Sequence, residues 1–177
     1  LFAANADTTK ASGVQIISDY SLSIFPESWQ GGSISAKGEQ ISQSELIRTE
    51  SLMIKALNKY PESMLRDNLR AVYLLKKMEF FNVGFGGTNS SDAVYITANG
   101  VELGYTDFYL EQTLHHEFSS ILFRNYPSLL DTISWKQQNE PGFDYNDTDA
   151  GVGAIRNNQA SQDLKTFYAE KGMLTQY

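Results

Sequence analysis

Apolar and polar positions fall into three textures along the chain. Residues 1–41 are the least periodic. Gly13–Phe25 alternates loosely enough to hold either a helix or a strand, Pro26 ends it, and Gly31-Gly32-Ser33 with Gly38 mark a flexible connection. From Ser42 the period becomes helical. Leu46, Met53, Ile54 and Leu57 share a face, with Ser42 or Ser44 as the N-cap and Glu45 in the capping-box position. Tyr60-Pro61 closes that helix. Pro61 suits the first position of a second one, whose apolar face would be Met64, Leu65, Leu69, Val72, Leu75 and Met78, so the spacing predicts a helical hairpin.

Past Met78 the texture is β-like. Glu79–Phe85 and Ala93–Thr97 read as short strands separated by Gly86-Gly87-Thr88-Asn89-Ser90. Asn99-Gly100 predicts a two-residue hairpin, with Val101–Leu103 as its returning strand. A third helix follows, with Asp107 as its cap, an apolar stripe of Leu110, Leu114, Phe118, Ile121 and Leu122, and an end at Asn125-Tyr126-Pro127. Ser128–Asn158 reads as a long ordered loop with at most one short helix, and a last helix is expected over 161–171 ahead of Gly172. Helices, a small antiparallel sheet and another helix make the predicted class α+β. The predicted organisation is an N-terminal segment, 1–41, without a definite assignment, and one domain with a single core over 42–177.

Composition narrows the function classes. The 177 residues are 41% hydrophobic, a globular balance that supports one sizeable core. Fourteen Lys+Arg against 21 Asp+Glu leave a net charge of −7, so no basic footprint for nucleic acid or an anionic membrane surface is predicted. No apolar run approaches the roughly 18 residues of a membrane span. Cys is absent, which removes disulfides, thiolate metal sites and cysteine nucleophiles. Residues 1–10 lack the basic and apolar regions of a signal peptide.

The candidate chemistry lies inside the third helix. Its two His are the only ones in the chain, in the run His115-His116-Glu117-Phe118-Ser119-Ser120. Zinc hydrolases need His-Glu-x-x-His because residues four apart share a helix face, so both imidazoles reach one ion while the Glu addresses the bound water. Here His116 and Glu117 match and Ser120 stands at the second His. On the helix wheel Glu117 edges the apolar stripe and is expected to be partly desolvated, which raises a carboxyl pKa. His116 and Ser120 lie to one side of the stripe and His115 to the other. Glu111 and His115, also four apart, are a second candidate pair. A third ligand could come from Asp131, Glu140, Asp144, Asp147, Asp149, Asp163 or Glu170. Gly84-Phe85-Gly86-Gly87 lacks the spacing of a phosphate loop, and Asp144–Asp149 lacks the Gly and terminal Glu of a calcium loop. No G-x-S-x-G is present. Asn89-Ser90-Ser91 and Asn146-Asp147-Thr148 are formal glycosylation acceptors.

Several runs carry a family resemblance: Phe80–Asn89, Tyr95-Ile96-Thr97, Asn99-Gly100, Leu103–Thr106, Thr113–Leu122 and the closing Gly172–Tyr177. Together, over about 45–177, the chain resembles the zinc-binding metallopeptidases found among exported lipoproteins of gut-dwelling bacteria. The resemblance implies a zincin-like fold, a small sheet over a zinc-bearing helix, with His116 as a metal ligand, Glu117 as the catalytic base, a further ligand from a later helix, zinc as cofactor and a peptide or protein as substrate. It also implies an exported, periplasmic or cell-surface protein. Ser120 departs from the pattern. Two functions follow: a metallopeptidase recruiting other ligands, or a metal-free module that binds peptide or glycan in a cleft walled by the loop carrying Trp135, Asp144 and Tyr145.

Overall fold

A computed structural model describes residues 10, 11 and 13–138, which fall into two units, 1–130 and 131–177. The first unit is mixed α and β. Its strands are β1 (Lys10–Ala11), β2 (Val14–Ile17), β3 (Lys37–Gln40), β4 (Ala71–Phe80), β5 (Val83–Phe85), β6 (Gly87–Asn89) and β7 (Ala93–Thr97). Its helices are α1 (Gln43–Leu57), α2 (Glu62–Asn68) and α3 (Asp107–Asn125). In the second unit the described element is α4 (Thr132–Gln137), capped by Asp131, whose carboxylate accepts from the Ser134 N–H at 2.9 Å and the Ser134 hydroxyl at 2.6 Å.

β4 organises a seven-stranded sheet of order β1-β2-β4-β7-β6, with β3 and β5 pairing along the later half of β4. β2, β4 and β7 run parallel; β1, β3, β5 and β6 pair antiparallel with their neighbours. Strands β2 and β3 thus come from the stretch for which the sequence predicts no definite element. They are short, and Lys37–Gln40 has no buried face of its own, so local pattern carries almost no signal there.

The predicted second helix is corrected. α2 stops at Asn68 and the chain from Ala71 to Phe80 is the central strand. Ala71–Leu75 is buried on both faces: Val72 and Leu74 face α1 and α3, while Ala71, Tyr73 and Leu75 face an aromatic layer of Phe25, Phe80 and Tyr95. A strand covered on both sides reads as a continuous apolar run, and Val72, Leu75 and Met78 fit a helical spacing equally well. The parallel pairing to β2 and β7 decides the matter, and it also replaces the predicted purely antiparallel sheet.

Two turns also differ from expectation. Asn99-Gly100 does not start a hairpin; Gly100 (φ 97°) leads into a single 3-10 turn over Val101–Leu103, and its carbonyl accepts from the Leu103 and Tyr105 N–H groups. Gly87–Asn89 forms a strand, β6, where a connecting turn is predicted, and Gly86 alone bends between β5 and β6. The tight hairpin is Phe81-Asn82 between β4 and β5, both residues at positive φ (56° and 61°), the conformation that matches strand twist. Phenylalanine is a rare residue for that conformation, which is why the sequence conceals the turn.

α1 and α3 form where predicted, although α1 ends at Leu57, ahead of the expected Tyr60-Pro61. The Ser42 hydroxyl caps α1 by accepting from the Glu45 N–H, although the Glu45 carboxylate turns to Arg48. α3 is capped by Thr106, one residue before the expected Asp107, and Asp107 pairs with Arg48 of α1. α1 and α3 bury Met53, Leu57, Leu110, Leu114, Phe118 and Ile121 against the sheet. Among the described residues no helix is long and apolar enough to cross a membrane.

Candidate functional site

α3 lies along β6, the last strand of the sheet order, and the two meet through small residues. A Cβ on Gly87 would stand 2.5 Å from Thr113 Cγ2 and 2.9 Å from Glu117 Oε1, so only glycine admits this approach of helix to strand. Gly87→Val is therefore expected to force α3 away from β6 and to cost about 1–3 kcal/mol, the usual range for overpacking. Urea denaturation measures it, and an unchanged midpoint would contradict the close contact.

Glu117 sits at that contact, 9% exposed. Its Oε2 accepts a hydrogen bond from Asn89 Nδ2 at 2.6 Å. Asn89 Oδ1 in turn accepts from Arg124 Nη2, and Arg124 Nη1 donates to the Ser90 carbonyl at 2.9 Å. The carboxyl thus joins the middle of α3 to the edge strand, and Arg124, two turns further on, orients the amide between them. Burial pushes the Glu117 pKa above its ordinary 4.5, opposed by the Asn89 hydrogen bond and the neighbouring His116. The expected partial desolvation is present.

The other candidates separate. His116 is exposed beside Glu117. Ser120, one turn on, donates back to the His116 carbonyl at 3.3 Å, a local helix bond. His115 points elsewhere: Nδ1 is 2.6 Å from the Tyr60 hydroxyl and Nε2 is 3.3 Å from Glu111 Oε1. Glu111 also pairs with Lys59, whose ammonium holds the carboxyl below its ordinary range. Both nitrogens of His115 are therefore engaged away from His116, and this pair joins α3 to the end of α1. Asp131 caps α4. Glu140, Asp144, Tyr145, Asp147, Asp149, Asp163 and Glu170 lie outside the described residues, as do the predicted last helix and the side chain of Trp135.

A catalytic zinc takes three protein ligands. Among the described residues no group of three or more His, Asp or Glu could hold a metal ion. His116 is the single imidazole on that face, so the described residues by themselves do not supply three ligands.

β6 offers something else. The Thr97 N–H donates to the Gly86 carbonyl at 2.8 Å and the Ser90 N–H to the Ala93 carbonyl at 2.8 Å. In an antiparallel ladder residues alternate in direction, so Thr88 faces β7 while Gly87 and Asn89 turn their N–H and C=O outward. Among the described residues no strand pairs with that outer side. Sequence reasoning finds Glu117 but misses Asn89, Arg124 and Gly87. Their role arises from a contact between segments about 30 residues apart, and the only local sign is the unusual Gly86-Gly87 pair.

Comparison with protein-family models, with curated proteins and with solved structures found no match.

Proposed function

We propose that this chain is a metallopeptidase-like protein without a hydrolytic zinc centre, which binds an extended peptide along the outer edge of β6, beside α3. The observation that carries this reading is the occupation of the motif's own groups. Glu117 is buried and bound to Asn89, and the Ser120 hydroxyl returns to its own helix, while the β6 backbone at Gly87 and Asn89 faces outward. An exposed strand edge recruits extended peptide through main-chain hydrogen bonds. The resemblance to exported metallopeptidases supports a peptide as the ligand and a periplasmic or surface location.

A zinc hydrolase is the second reading, and the exposed His116 beside the Glu117 carboxyl favours it. Metal analysis of protein purified without chelator separates the two. The binding module predicts well under one zinc per chain. Stoichiometric zinc that is lost in His116→Ala, together with peptide hydrolysis lost in Glu117→Gln, would overturn it. Ser120→His is expected to raise zinc affinity measurably, because it places a second imidazole one turn from His116. Equilibrium dialysis against zinc checks this, and equal affinity in both proteins would mean that the two positions do not share a metal-accessible face.

A further inference from the structure

A cleft of about 390 Å³ opens where the chain crosses from β5 to β6. Gly84, Phe85 and Gly86 form one side, and Tyr105 and Tyr109 another, with Lys77 in the lining. The two tyrosine rings stand 5.8 Å apart at 82°, an edge-to-face pair presenting one face and one edge. Its glycines differ: a Cβ on Gly84 or on Gly104 would meet nothing within 4 Å, whereas one on Gly86 would collide with the Tyr109 hydroxyl, so Tyr109 closes that side against the bare backbone. Two of the lining side chains, Leu103 and Tyr109, are apolar and open to solvent, 62% and 38% exposed.

We infer that this cleft is a side-chain pocket that takes an aromatic residue of the peptide. The inference rests on the β6 reading above and specifies its ligand. Its volume lies within the range of ligand sites and is enough for one large side chain. An aromatic guest would extend the Tyr105–Tyr109 pair in the edge-to-face geometry that rings prefer. Placement agrees, because Gly86 lines the cleft and the next residue, Gly87, is the first of β6 with its backbone turned outward. A peptide running along that edge therefore ends its first pairing beside the opening. Lys77 does not select an acidic guest, since its ammonium is already 2.5 Å from Glu79.

The test uses fluorescent, end-blocked heptapeptides that differ only at the central residue, Phe, Tyr, Leu, Ala or Asp, measured by polarisation against the full chain. Phe and Tyr are expected to bind at least about tenfold more tightly than Ala, the least that losing a ring's contacts in a pocket costs. Gly84→Leu, which adds a large side chain at an open position of the lining, is expected to bring the Phe-to-Ala affinity ratio down to about one. A preference that survives Gly84→Leu, or binding with no aromatic preference, overturns the pocket. The β6 reading fails separately if backbone N-methylation of the peptide leaves affinity unchanged. Free p-cresol is the third probe. If it perturbs Tyr105 and Tyr109 in the NMR spectrum while no peptide binds, the pocket stands without the strand edge; if neither binds, both fail.

Discussion

Phe118→Ala is expected to destabilise the chain by about 3–5 kcal/mol, the range for truncating a fully buried aromatic. Phe118 is 0% exposed, and its ring meets that of Tyr60 edge-on at 4.9 Å. It stands next to Glu117 on α3 and faces the layer formed by Val72, Leu74, Val94 and Ile96. Tyr60 also holds His115 through its hydroxyl, so one cavity would loosen both the packing of α3 and the contact that joins it to the end of α1. Domains of this kind have total stabilities of roughly 5–15 kcal/mol, so the loss is a large fraction of the whole. Urea denaturation at neutral pH reads it. A midpoint close to that of the unsubstituted chain would mean that α3 does not seat on the sheet as described.

The second large effect concerns Glu117, and here pH matters. Glu117→Ala removes the acceptor of the Asn89 amide inside a closed contact, a loss of about 1–3 kcal/mol. Glu117→Gln keeps the shape and an acceptor oxygen, and is expected to cost less. The folded pKa lies above the ordinary 4.5, chiefly through burial. Between the two values the folded state binds more protons than the unfolded one, so this group's contribution to stability falls as pH rises through that interval. Above the folded pKa the carboxylate is charged at a buried site, and the full desolvation penalty applies. Glu117→Gln should therefore gain on the unsubstituted chain as pH is raised from about 4.5 towards neutrality. Paired denaturation curves across that interval check the sign. A stability difference that does not vary with pH would show that Glu117 is solvated in the folded protein.

A carboxylate in an incomplete zinc motif can serve either of two roles. In a hydrolase such a Glu must reach a metal-bound water. In this chain it ties α3 to the edge strand, and the Asn89 amide that donates to it is oriented by Arg124 of the same helix. Beside that clamp, the outer backbone groups of β6 pair with no other strand among the described residues.

How much of this was legible depends on distance along the chain. The hydroxyl cap at Ser42, the end of α3 at Asn125-Tyr126-Pro127 and the inward face of Leu110, Leu114, Phe118 and Ile121 all arise within a few residues of one another, where helical geometry determines the outcome. The burial of Glu117 followed from the same wheel, and so did the separation of His115 from His116. Other features depend on partners remote in sequence. Ala71–Phe80 is a strand because β2 and β7 flank it in parallel register and both its faces are covered; alone, its apolar residues suit a helix as well. Phe81-Asn82 turns because two antiparallel strands hold it, and Gly87, Asn89 and Arg124 acquire a purpose only when α3 comes to lie on β6. Local chemistry alone thus determined the helices and the candidate carboxylate. Tertiary packing decided which groups that carboxylate touches, since hydrogen bonds between remote segments leave no periodic trace in the order of residues.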